Sequence, residues 1–335
     1  MGGGRIDVHH HSYHPPLIAE LRRRGVTHMA PGVPLPEWTV ADSLRVMDAN
    51  GIRSAILSIL LPNAAFDEDA ASLVRQTNEW TAELVRDFPG RFGGLAVLPL
   101  PDVEVALAEI DHAFDVLGLD GVVLSASLAD GRYLGDPAFA EVFDELNRRG
   151  AVVFVHPNPA YRCDCAGGPG FTAKVPPPLV DFVMDTTRAV ADLLFGGTLS
   201  RCHDIRFILA HAGGTVPFLA WRLELAATWV LPGAGDVDVA GELRRLYYET
   251  AQAASPATLA CLREVTAGEN ILFGTDFPFM NDAVVPATLR HLDAAADLDL
   301  AGNALALFPR LADGAGGAGA GRAGAGREAA DAARL

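Results

Sequence analysis

The residues of this chain best suited to chemistry begin with a histidine pair close to the N-terminus. Segment 6–11 reads IDVHHH, a short apolar run that ends in His9 and His11. In a β-strand alternate side chains share a face, so His9 and His11 project the same way and His10 projects to the other side. Two imidazoles on one face, at the C-terminal tip of a strand, can bind the same metal ion. The pair therefore predicts part of a metal site.

Three later residues of ligand type also stand where an apolar run ends. His156 closes the run VVFVH, His211 closes FILAH, and Asp276 follows ILFGT. Imidazole nitrogens and carboxylate oxygens are common ligands of zinc and similar divalent ions. In a parallel barrel the C-terminal ends of the strands meet at one face, where barrel enzymes have their active sites. We therefore expect these residues and the histidine pair to converge on one metal ion.

The elements that must position these residues alternate along the chain. Apolar runs followed by helical segments predict buried parallel strands connected by helices. Eight such units predict an α/β fold, a (β/α)8 TIM barrel with inserted loops and a long helix after strand five. An open doubly wound sheet is the alternative, but no GxGxxG motif follows the first strand to favour it. The predicted strands are 6–11, 54–61, 92–98, 121–125, 151–156, 205–211, 246–250 and 271–276.

The composition argues against several classes of partner. The chain has 26 Lys and Arg against 42 Asp and Glu, a net charge of −16, whereas nucleic acids and anionic membranes attract clustered basic residues. No apolar stretch approaches the length of about 20 residues that a membrane span requires. Four cysteines are too few for a disulfide framework, and the first residues lack a signal-peptide pattern. We therefore expect a soluble, cytoplasmic protein that binds neither nucleic acid nor membrane.

The chain divides into one large domain and a short tail. Residues 1–311 carry all the predicted strands and form the barrel domain. From 312 to 335 the sequence consists mainly of Gly and Ala with scattered charged residues, a composition that cannot bury a core. We expect this segment to be a flexible tail without a chemical role.

Four motifs together resemble a known family. The segments IDVHHH, FVHP, FILAHAGGTVPFLAWR and LFGTDFPF resemble the amidohydrolase superfamily, in particular its branch of nonoxidative decarboxylases that includes aminocarboxymuconate semialdehyde decarboxylase. Within that branch the chain is most similar to 6-methylsalicylate-type decarboxylases. The resemblance extends from Arg5 to Pro309 and implies a metal-dependent carboxy-lyase on the same barrel.

The resemblance assigns roles to the residues at the strand ends. It implies that His9, His11, His156 and Asp276 bind the metal, and that Asp276 and His211 are catalytic. Relatives with two metal ions carry a carboxylated lysine at the end of strand four, where this chain reads GVVLS, so one ion is expected. Three imidazoles and a carboxylate favour Zn²⁺, with Mn²⁺ as the alternative. No organic cofactor is expected.

The resemblance also implies a substrate-binding arginine and a partner subunit. Arg222 lies eleven residues after His211, the spacing at which the resembled decarboxylases have an arginine that binds a substrate carboxylate. In those relatives the arginine reaches the site of a neighbouring subunit, which implies a homodimer. A guanidinium group pairs bidentately with a carboxylate, so the role is physically sound. The alternative is an ordinary surface arginine on the helix after strand six.

Aromatic residues near the predicted metal could contact a substrate ring. Tyr13, Trp38, Phe171, Phe277 and Phe279 would form an apolar wall around it. Phe277 and Phe279 come one and three residues after Asp276 and could equally be plain core. An aromatic wall beside a metal favours a small aromatic carboxylic acid as the substrate.

Two reactions fit the same set of residues. In the first, a metal-dependent nonoxidative decarboxylase acts on a salicylate-like acid with an ortho-hydroxyl group. Asp276 or His211 protonates the ring carbon that bears the carboxyl group, and CO2 departs. In the second, a mononuclear metal-dependent hydrolase uses an activated water to attack an ester, lactone or amide. The single expected metal, the HAGG…R pattern and the aromatic loops favour decarboxylation.

Overall fold

The structure is a computed structural model of the chain, in which residues 4–30, 32–62, 65–66, 69–158, 177–280 and 282–316 are described. Eight parallel strands form one sheet, in which each strand pairs with the next along the chain. These strands are β1 (Arg5–His11), β2 (Ile52–Ser58), β3 (Phe92–Val97), β4 (Gly121–Ser125), β5 (Val152–His156), β6 (Arg206–Leu209), β7 (Tyr247–Glu249) and β8 (Ile271–Leu272).

The sheet closes on itself between β1 and the segment that follows β8. The backbone N–H of Val8 donates to the carbonyl of Phe273 at 2.9 Å, and the N–H of His11 donates to the carbonyl of Phe277 at 2.7 Å. The N–H of Asp276 donates to the carbonyl of His9 at 2.9 Å between these two bonds. The predicted (β/α)8 barrel is confirmed, and its closure places Asp276 directly beside the histidine pair.

Helices follow the strands and cover the outside of the barrel. They are α1 (Pro15–Arg23), α2 (Val40–Ala49), α3 (Ala70–Asp87), α4 (Val103–Asp111), α5 (Ala140–Arg148), α6 (Asp181–Phe195), α7 (Thr198–Arg201), α8 (Val216–Trp229), α9 (Val239–Arg244), α10 (Pro256–Val265), α11 (Val284–Ala294) and α12 (Leu300–Leu307). A short antiparallel pair, His28–Ala30 with Val33–Pro34, lies in the loop after α1. The predicted long helix after strand five is α6, which has 15 residues.

Local sequence signals account for where several helices begin. Thr39 caps α2 by accepting a hydrogen bond from the N–H of Asp42 at 3.1 Å, and Ser255 caps α10 in the same way through Thr258. Asp102 does so for α4. Each cap satisfies an N–H group that the first helical turn leaves without a partner. The helices therefore start where their polar capping residues place them.

The strand ends differ from the predicted ones at two site residues. The sixth and eighth strands were expected to end at His211 and Asp276, but β6 ends at Leu209 and β8 at Leu272. Neither site residue can belong to a strand, because φ is 54° at His211 and 60° at Asp276, values incompatible with extended backbone. Both side chains nevertheless remain at the C-terminal face of the barrel.

Parts of the sequence-based predictions fall outside the described residues. Phe171 of the predicted aromatic wall lies in the segment 159–176, together with Cys163 and Cys165, two of the four cysteines, and most of the predicted tail lies in 317–335. The domain boundary at 311 therefore stays a prediction. Among the helices of the described residues, none combines the length and the apolar character that a membrane crossing needs.

Candidate metal centre

Four side chains of ligand type meet at the C-terminal face of the barrel. Each of His9, His11, His156 and Asp276 offers one ligand atom, and these atoms all lie within 4.8 Å of one another. The two Nε2 atoms of His9 and His11 are 3.0 Å apart, and Asp276 Oδ1 lies 3.2 Å and 3.1 Å from them. All four residues are buried. The structure thus brings together the four residues that were predicted to bind the metal.

The orientation of the imidazole rings fits a cation at their centre. Nδ1 of His9 donates to Glu249 Oε1 at 2.9 Å, Nδ1 of His11 to the carbonyl of Ser58 at 3.3 Å, and Nδ1 of His156 to the carbonyl of Pro157 at 2.8 Å. An acceptor at Nδ1 fixes the tautomer and leaves Nε2 as the free ligand atom.

One of these ring nitrogens supplies the strongest test of the fit. His156 Nε2 is buried and has no hydrogen-bond partner among the described residues. A buried polar atom without a partner is costly, and a bound cation removes that cost. The residues present therefore fit a single divalent ion held by three imidazoles and one carboxylate.

The charges in the cluster set the protonation of each ligand. Burial raises the pKa of Asp276, but His9, His11 and His211 outweigh it and hold this pKa well below its ordinary value. Burial lowers the pKa of His11, and burial together with the charge of His9 lowers the pKa of His156 further. Near neutral pH the carboxylate is therefore ionised and these two imidazoles are neutral, the states in which they bind metal.

His9 differs from the other ligands because it faces two carboxylates. Burial lowers its pKa, but the charges of Glu249 and Asp276 outweigh burial and raise the pKa of His9 to about 10. A metal cation beside His9 would interact with these two carboxylates in place of the proton on the imidazole. Binding of the cation therefore displaces a proton, as is general for histidine ligands.

Glu249, at the end of β7, is a site residue that the sequence analysis missed. Its side chain is completely buried and, besides His9, it accepts hydrogen bonds from the backbone N–H of His211 at 2.5 Å and of Ala251 at 2.6 Å. Gly274 lies so close that an added Cβ would be 2.0 Å from Glu249 Oε2. The sequence contains a signal for this residue, since Glu249 lies near the end of a predicted buried strand. A carboxylate buried there needs hydrogen-bond donors or a positive charge beside it.

His211 lies beside the ligand cluster but outside it. Its Nε2 is 3.6 Å from Asp276 Oδ2, and its Nδ1 is buried without a partner among the described residues. The backbone of His211 lies in the left-handed region, and its N–H donates to Glu249. This position suits a group that exchanges protons with Asp276 rather than a fifth ligand.

A second network of buried polar residues fixes the backbone around Asp276. Asp7 accepts hydrogen bonds from the N–H and the hydroxyl of Thr275, at 3.0 Å and 2.6 Å. The same carboxylate accepts from Nδ1 of His10 at 2.9 Å, and His10 Nε2 lies 2.8 Å from Ser43 Oγ. His10 therefore points away from the ligand cluster, as expected from the alternation along β1. The network anchors β1 to the residue that precedes Asp276.

An apolar pocket of about 130 Å³ opens next to the cluster. Its polar lining includes His156, His211, Asp276, Ser125, Asn158 and Gln252. Most of the remaining wall is aliphatic or aromatic, and no Lys or Arg is among the described residues that line it. Such a cavity, apolar with a few convergent polar groups, is typical of a small-molecule site.

The predicted substrate contacts separate into two groups. Tyr13 and Phe279 line the pocket. Trp38 and Phe277 do not, since Trp38 donates to Ser43 Oγ at 2.9 Å and Phe277 stacks on His10 with ring centres 5.0 Å apart. Arg222 lies exposed on α8 and is not part of the pocket of its own chain.

The comparisons with known proteins agree with this geometry. The model of the protein family described as amidohydrolase matches residues 6–310. The 6-methylsalicylic acid decarboxylase of Penicillium expansum is 35% identical over 327 residues, which cover 92% of this chain and 97% of that protein. A gamma-resorcylate decarboxylase of Rhodococcus jostii is 26% identical over 71% of this chain and 77% of its own length.

A solved structure described as amidohydrolase II has 30% sequence identity and a TM-score of 0.79, and the match covers 91% of this chain and 99% of that one. A match over 305 of 335 residues, from 6 to 310, together with a relative 35% identical over nearly its full length, defines the family. The chain belongs to the amidohydrolase family.

Proposed function

We propose that the protein is a metal-dependent nonoxidative decarboxylase of a salicylate-like, ortho-hydroxy aromatic carboxylic acid, and that it releases CO2. The observation that carries the proposal is that His156 and Asp276 of the ligand cluster line one apolar pocket together with His211. The relative from Penicillium expansum, which is similar over 92% of this chain, is a 6-methylsalicylic acid decarboxylase.

We assign the metal to His9, His11, His156 and Asp276, and Zn²⁺ is the proposed ion because three imidazoles and a carboxylate form a typical zinc set. A bound divalent ion would supply Lewis acidity that orients the acid and polarises its oxygens. Mn²⁺ is the alternative. A dihydroxybenzoic acid decarboxylase from Polaromonas sp. JS666, which shares the fold at a TM-score of 0.75 and 23% identity over 92% of this chain and 97% of that one, was solved with bound manganese.

Asp276 and His211 handle the proton that replaces the carboxyl group. Because Asp276 is held as a carboxylate, a proton that it delivers must first reach it, and His211 Nε2 is the neighbouring donor at 3.6 Å from Oδ2. Asp276 then passes this proton to the ring carbon that carries the carboxylate. The bond from that carbon to the carboxylate breaks, its electron pair restores the aromatic ring, and CO2 leaves.

The residues of the pocket wall favour a substrate that has an aromatic ring and a single carboxylate. Tyr13 and Phe279 offer aromatic surface, with ring centres 5.7 Å apart in an edge-to-face arrangement. Burial raises the pKa of Tyr13, and its hydroxyl donates to the carbonyl of Leu60 at 3.1 Å, so it stays neutral. No Lys or Arg of the same chain is among the described lining residues, so none of these residues would balance a second carboxylate. An aromatic acid with one carboxylate is therefore the proposed substrate.

We also propose that the active unit is a homodimer formed through α8. Four large apolar side chains of this helix, Phe218, Trp221, Leu225 and Trp229, are exposed, with fractions from 39% to 82%. Their spacing places them on one face of the helix. A continuous exposed apolar face is typical of a protein interface, and a two-fold axis allows it to pack on itself.

The same interface gives Arg222 a role. This residue stands on α8 beside the apolar face and makes no ion pair with any described residue. A guanidinium exposed there is available to the pocket of the partner subunit, where it would pair with the substrate carboxylate. This assignment accounts for a pocket that has no cation of its own among the described residues.

The reaction is tested by incubating the metal-loaded protein with a panel of 2-hydroxybenzoates and measuring CO2 and the phenolic product. Salicylate-like acids with one carboxylate are expected to release CO2 and the corresponding phenol in equal amounts. A parallel panel of aryl esters and lactones controls for hydrolysis. Turnover of that second panel without CO2 from the first would contradict the proposal and support a hydrolase.

A further inference from the structure

Backbone strain marks one more residue at the mouth of the barrel. Among the described residues, the non-glycine residues with positive φ are His211, Ala212, Gln252 and Asp276. Two of them are proposed to handle protons and Ala212 adjoins His211. Residues held in such conformations cluster at functional sites, where the surrounding structure maintains the strain. Gln252 is the remaining residue of this group, and it takes no part in the proton transfer described above.

Glycine at position 252 would avoid the backbone strain, so the presence of glutamine there indicates that its side chain has a function. The N–H of Ala253 donates to the carbonyl of Thr250 at 3.0 Å, so Gln252 is the third residue of a tight turn. Its φ is 57°. Glycine adopts this value without steric cost, whereas a residue with a Cβ adopts it only at a cost in energy. The chain therefore keeps a side chain where glycine would be the more stable choice.

That side chain is used to bind Asp276. Gln252 lines the pocket and its Nε2 donates to Asp276 Oδ2 at 2.5 Å. The other carboxylate oxygen, Oδ1, faces the ligand nitrogens of His9 and His11. The two oxygens of Asp276 thus have different neighbours, and the Gln252 contact is made to the oxygen that also faces His211.

The turn that carries Gln252 is itself fixed by a buried carboxylate. The N–H of Ala251 donates to Glu249 Oε2 at 2.6 Å, and Glu249 has no solvent exposure. The backbone next to Gln252 is therefore tied to the residue that orients His9. A side chain on such an anchored turn holds its hydrogen-bond partner in one orientation.

We propose that Gln252 is a positioning residue that fixes the plane of the Asp276 carboxylate, so that Oδ1 faces the metal ligands and Oδ2 faces the substrate. The inference rests on the proposed function of Asp276. Without the amide, the carboxylate is free to rotate, and its outer oxygen no longer stays at the position from which it serves the ring carbon. The ligand role of Asp276 is preserved because its own N–H is bound to the carbonyl of His9 and that of Thr275 to Asp7, so a carboxylate oxygen still reaches the ligand nitrogens of His9 and His11.

Two substitutions test this role, with a third as control. Gln252→Gly removes the amide and relieves the backbone, whereas Gln252→Glu keeps the length of the side chain but has no N–H to donate. Gln76→Glu makes the same change on the exposed surface of α3, where Gln76 contacts Ser72. Each variant is measured for kcat and KM of CO2 release, for the dissociation constant of Zn²⁺ by chelator competition, and for Tm.

The expected pattern separates positioning from general stability. In both Gln252 variants kcat should fall by about tenfold or more, while KM changes by less than about threefold. The Tm of Gln252→Gly should equal or exceed that of the wild type, and its Zn²⁺ affinity should stay within about threefold. Gln76→Glu should match the wild type throughout. Unchanged kcat, a change confined to KM, or a joint loss of Tm and Zn²⁺ affinity would each overturn the proposal.

A spectroscopic readout decides the role of Gln252 without turnover. In Mn²⁺-loaded protein, the electron paramagnetic resonance spectrum reports the ligand arrangement, so Gln252→Gly should alter it and Gln76→Glu should not. An unaltered spectrum would contradict the role of Gln252. Absence of CO2 release by the wild type, in contrast, would count against the proposed reaction and leave this spectroscopic result to decide the positioning.

Discussion

Glu249 Oε1 accepts a hydrogen bond from Nδ1 of His9 at 2.9 Å, and neither side chain is exposed to solvent. The same oxygen accepts from the backbone N–H of His211 at 2.5 Å. One buried carboxylate therefore orients a proposed metal ligand and the proposed proton-transfer residue together. Partners of this kind set the tautomer and basicity of histidine ligands.

The first prediction concerns the loss of this charge. Gln at position 249 presents an amide N–H₂ where the carboxylate accepted several hydrogen bonds, and it no longer attracts positive charge on His9. Glu249→Gln should weaken metal binding by about 10-fold to 100-fold, the usual effect of removing such a partner. The measurement is the Zn²⁺ dissociation constant by competition with a chelator.

A buried carboxylate outside the site provides the control for Glu249→Gln. Glu109 is 2% exposed and accepts hydrogen bonds from Arg75 and Asn78, both at 2.7 Å. Glu109→Gln should lower Tm without changing the metal affinity of the folded protein. Equal loss of metal affinity in the two variants would show that Glu249 has no specific effect on His9.

The second prediction separates proton transfer from metal binding. His211 is not one of the four clustered ligand residues, and its Nε2 lies 3.6 Å from Asp276 Oδ2. His211→Ala should therefore retain a full equivalent of metal, while kcat falls by about 10²-fold to 10⁴-fold, the range for loss of a general acid or base. Metal content is measured by elemental analysis and kcat by CO2 release.

His156→Ala is the matched comparison for this prediction. It removes the imidazole whose buried Nε2 has no partner among the described residues, so metal content and activity should fall together. If His211→Ala lost its metal as His156→Ala does, His211 would be a ligand. Full activity of His211→Ala would remove it from the reaction.

The sequence was sufficient to predict the barrel and the clustering of His9, His11, His156 and Asp276. It was sufficient because His156 and Asp276 end or follow buried apolar runs, and parallel strands bring their ends to one face. Glu249 stands at the end of such a run as well, but the sequence does not show which way its carboxylate turns. That direction depends on the twist and closure of the barrel, which set the distance from Glu249 to His9.

Other residues could not be placed because their chemistry is not specific to one location. Trp38 and Phe277 are as suited to the core as to a pocket wall, and the structure puts them in contact with Ser43 and His10. The role of Gln252 depends on a positive φ in its turn, which glutamine does not signal. The metal identity, the cytoplasmic location and the homodimer stay predictions.

The third prediction tests the dimer through α8. Trp221 is 67% exposed in the isolated chain, at the middle of the apolar face, so a charge at this position should prevent close packing of two copies. Trp221→Glu should sediment as a monomer at concentrations where the wild type is a dimer. Val116→Glu, a change at an exposed residue (70%) outside α8, is the control and should stay dimeric.

Arg222 makes the dimer prediction sensitive to function. If the guanidinium serves the partner's pocket, Arg222→Ala should raise KM by about tenfold or more with a smaller change in kcat, because it binds the substrate carboxylate. Mixing the Arg222→Ala protein with the His211→Ala protein should then restore activity through mixed dimers, in which one pocket is complete. No recovery on mixing, in dimers shown to exchange subunits, would contradict action on the partner.

The last prediction concerns stability at mildly acidic pH. His14 stacks on Trp80 with ring centres 3.9 Å apart, and its Nδ1 accepts a hydrogen bond from the N–H of Leu17 as the cap of α1. Burial lowers the pKa of His14 from 6.5 to about 4. Protonation of Nδ1 would also remove the acceptor of the cap. The folded protein therefore keeps His14 neutral at pH values where the unfolded chain is already protonated.

The sign of the pH dependence follows from this difference. Between pH 6.5 and about 4 the unfolded chain binds a proton that the folded chain does not, so the contribution of His14 to stability is complete above this window and is lost as pH falls through it.

A variant that cannot titrate tests this pH dependence. His14→Asn keeps a capping side chain that does not titrate. Relative to this variant, the wild type should lose free energy of unfolding from about pH 7 to about pH 5, measured by urea titration. His291→Asn, at an exposed histidine on α11, should show no such difference. A stability difference between wild type and His14→Asn that does not vary with pH would show that His14 titrates alike in both states.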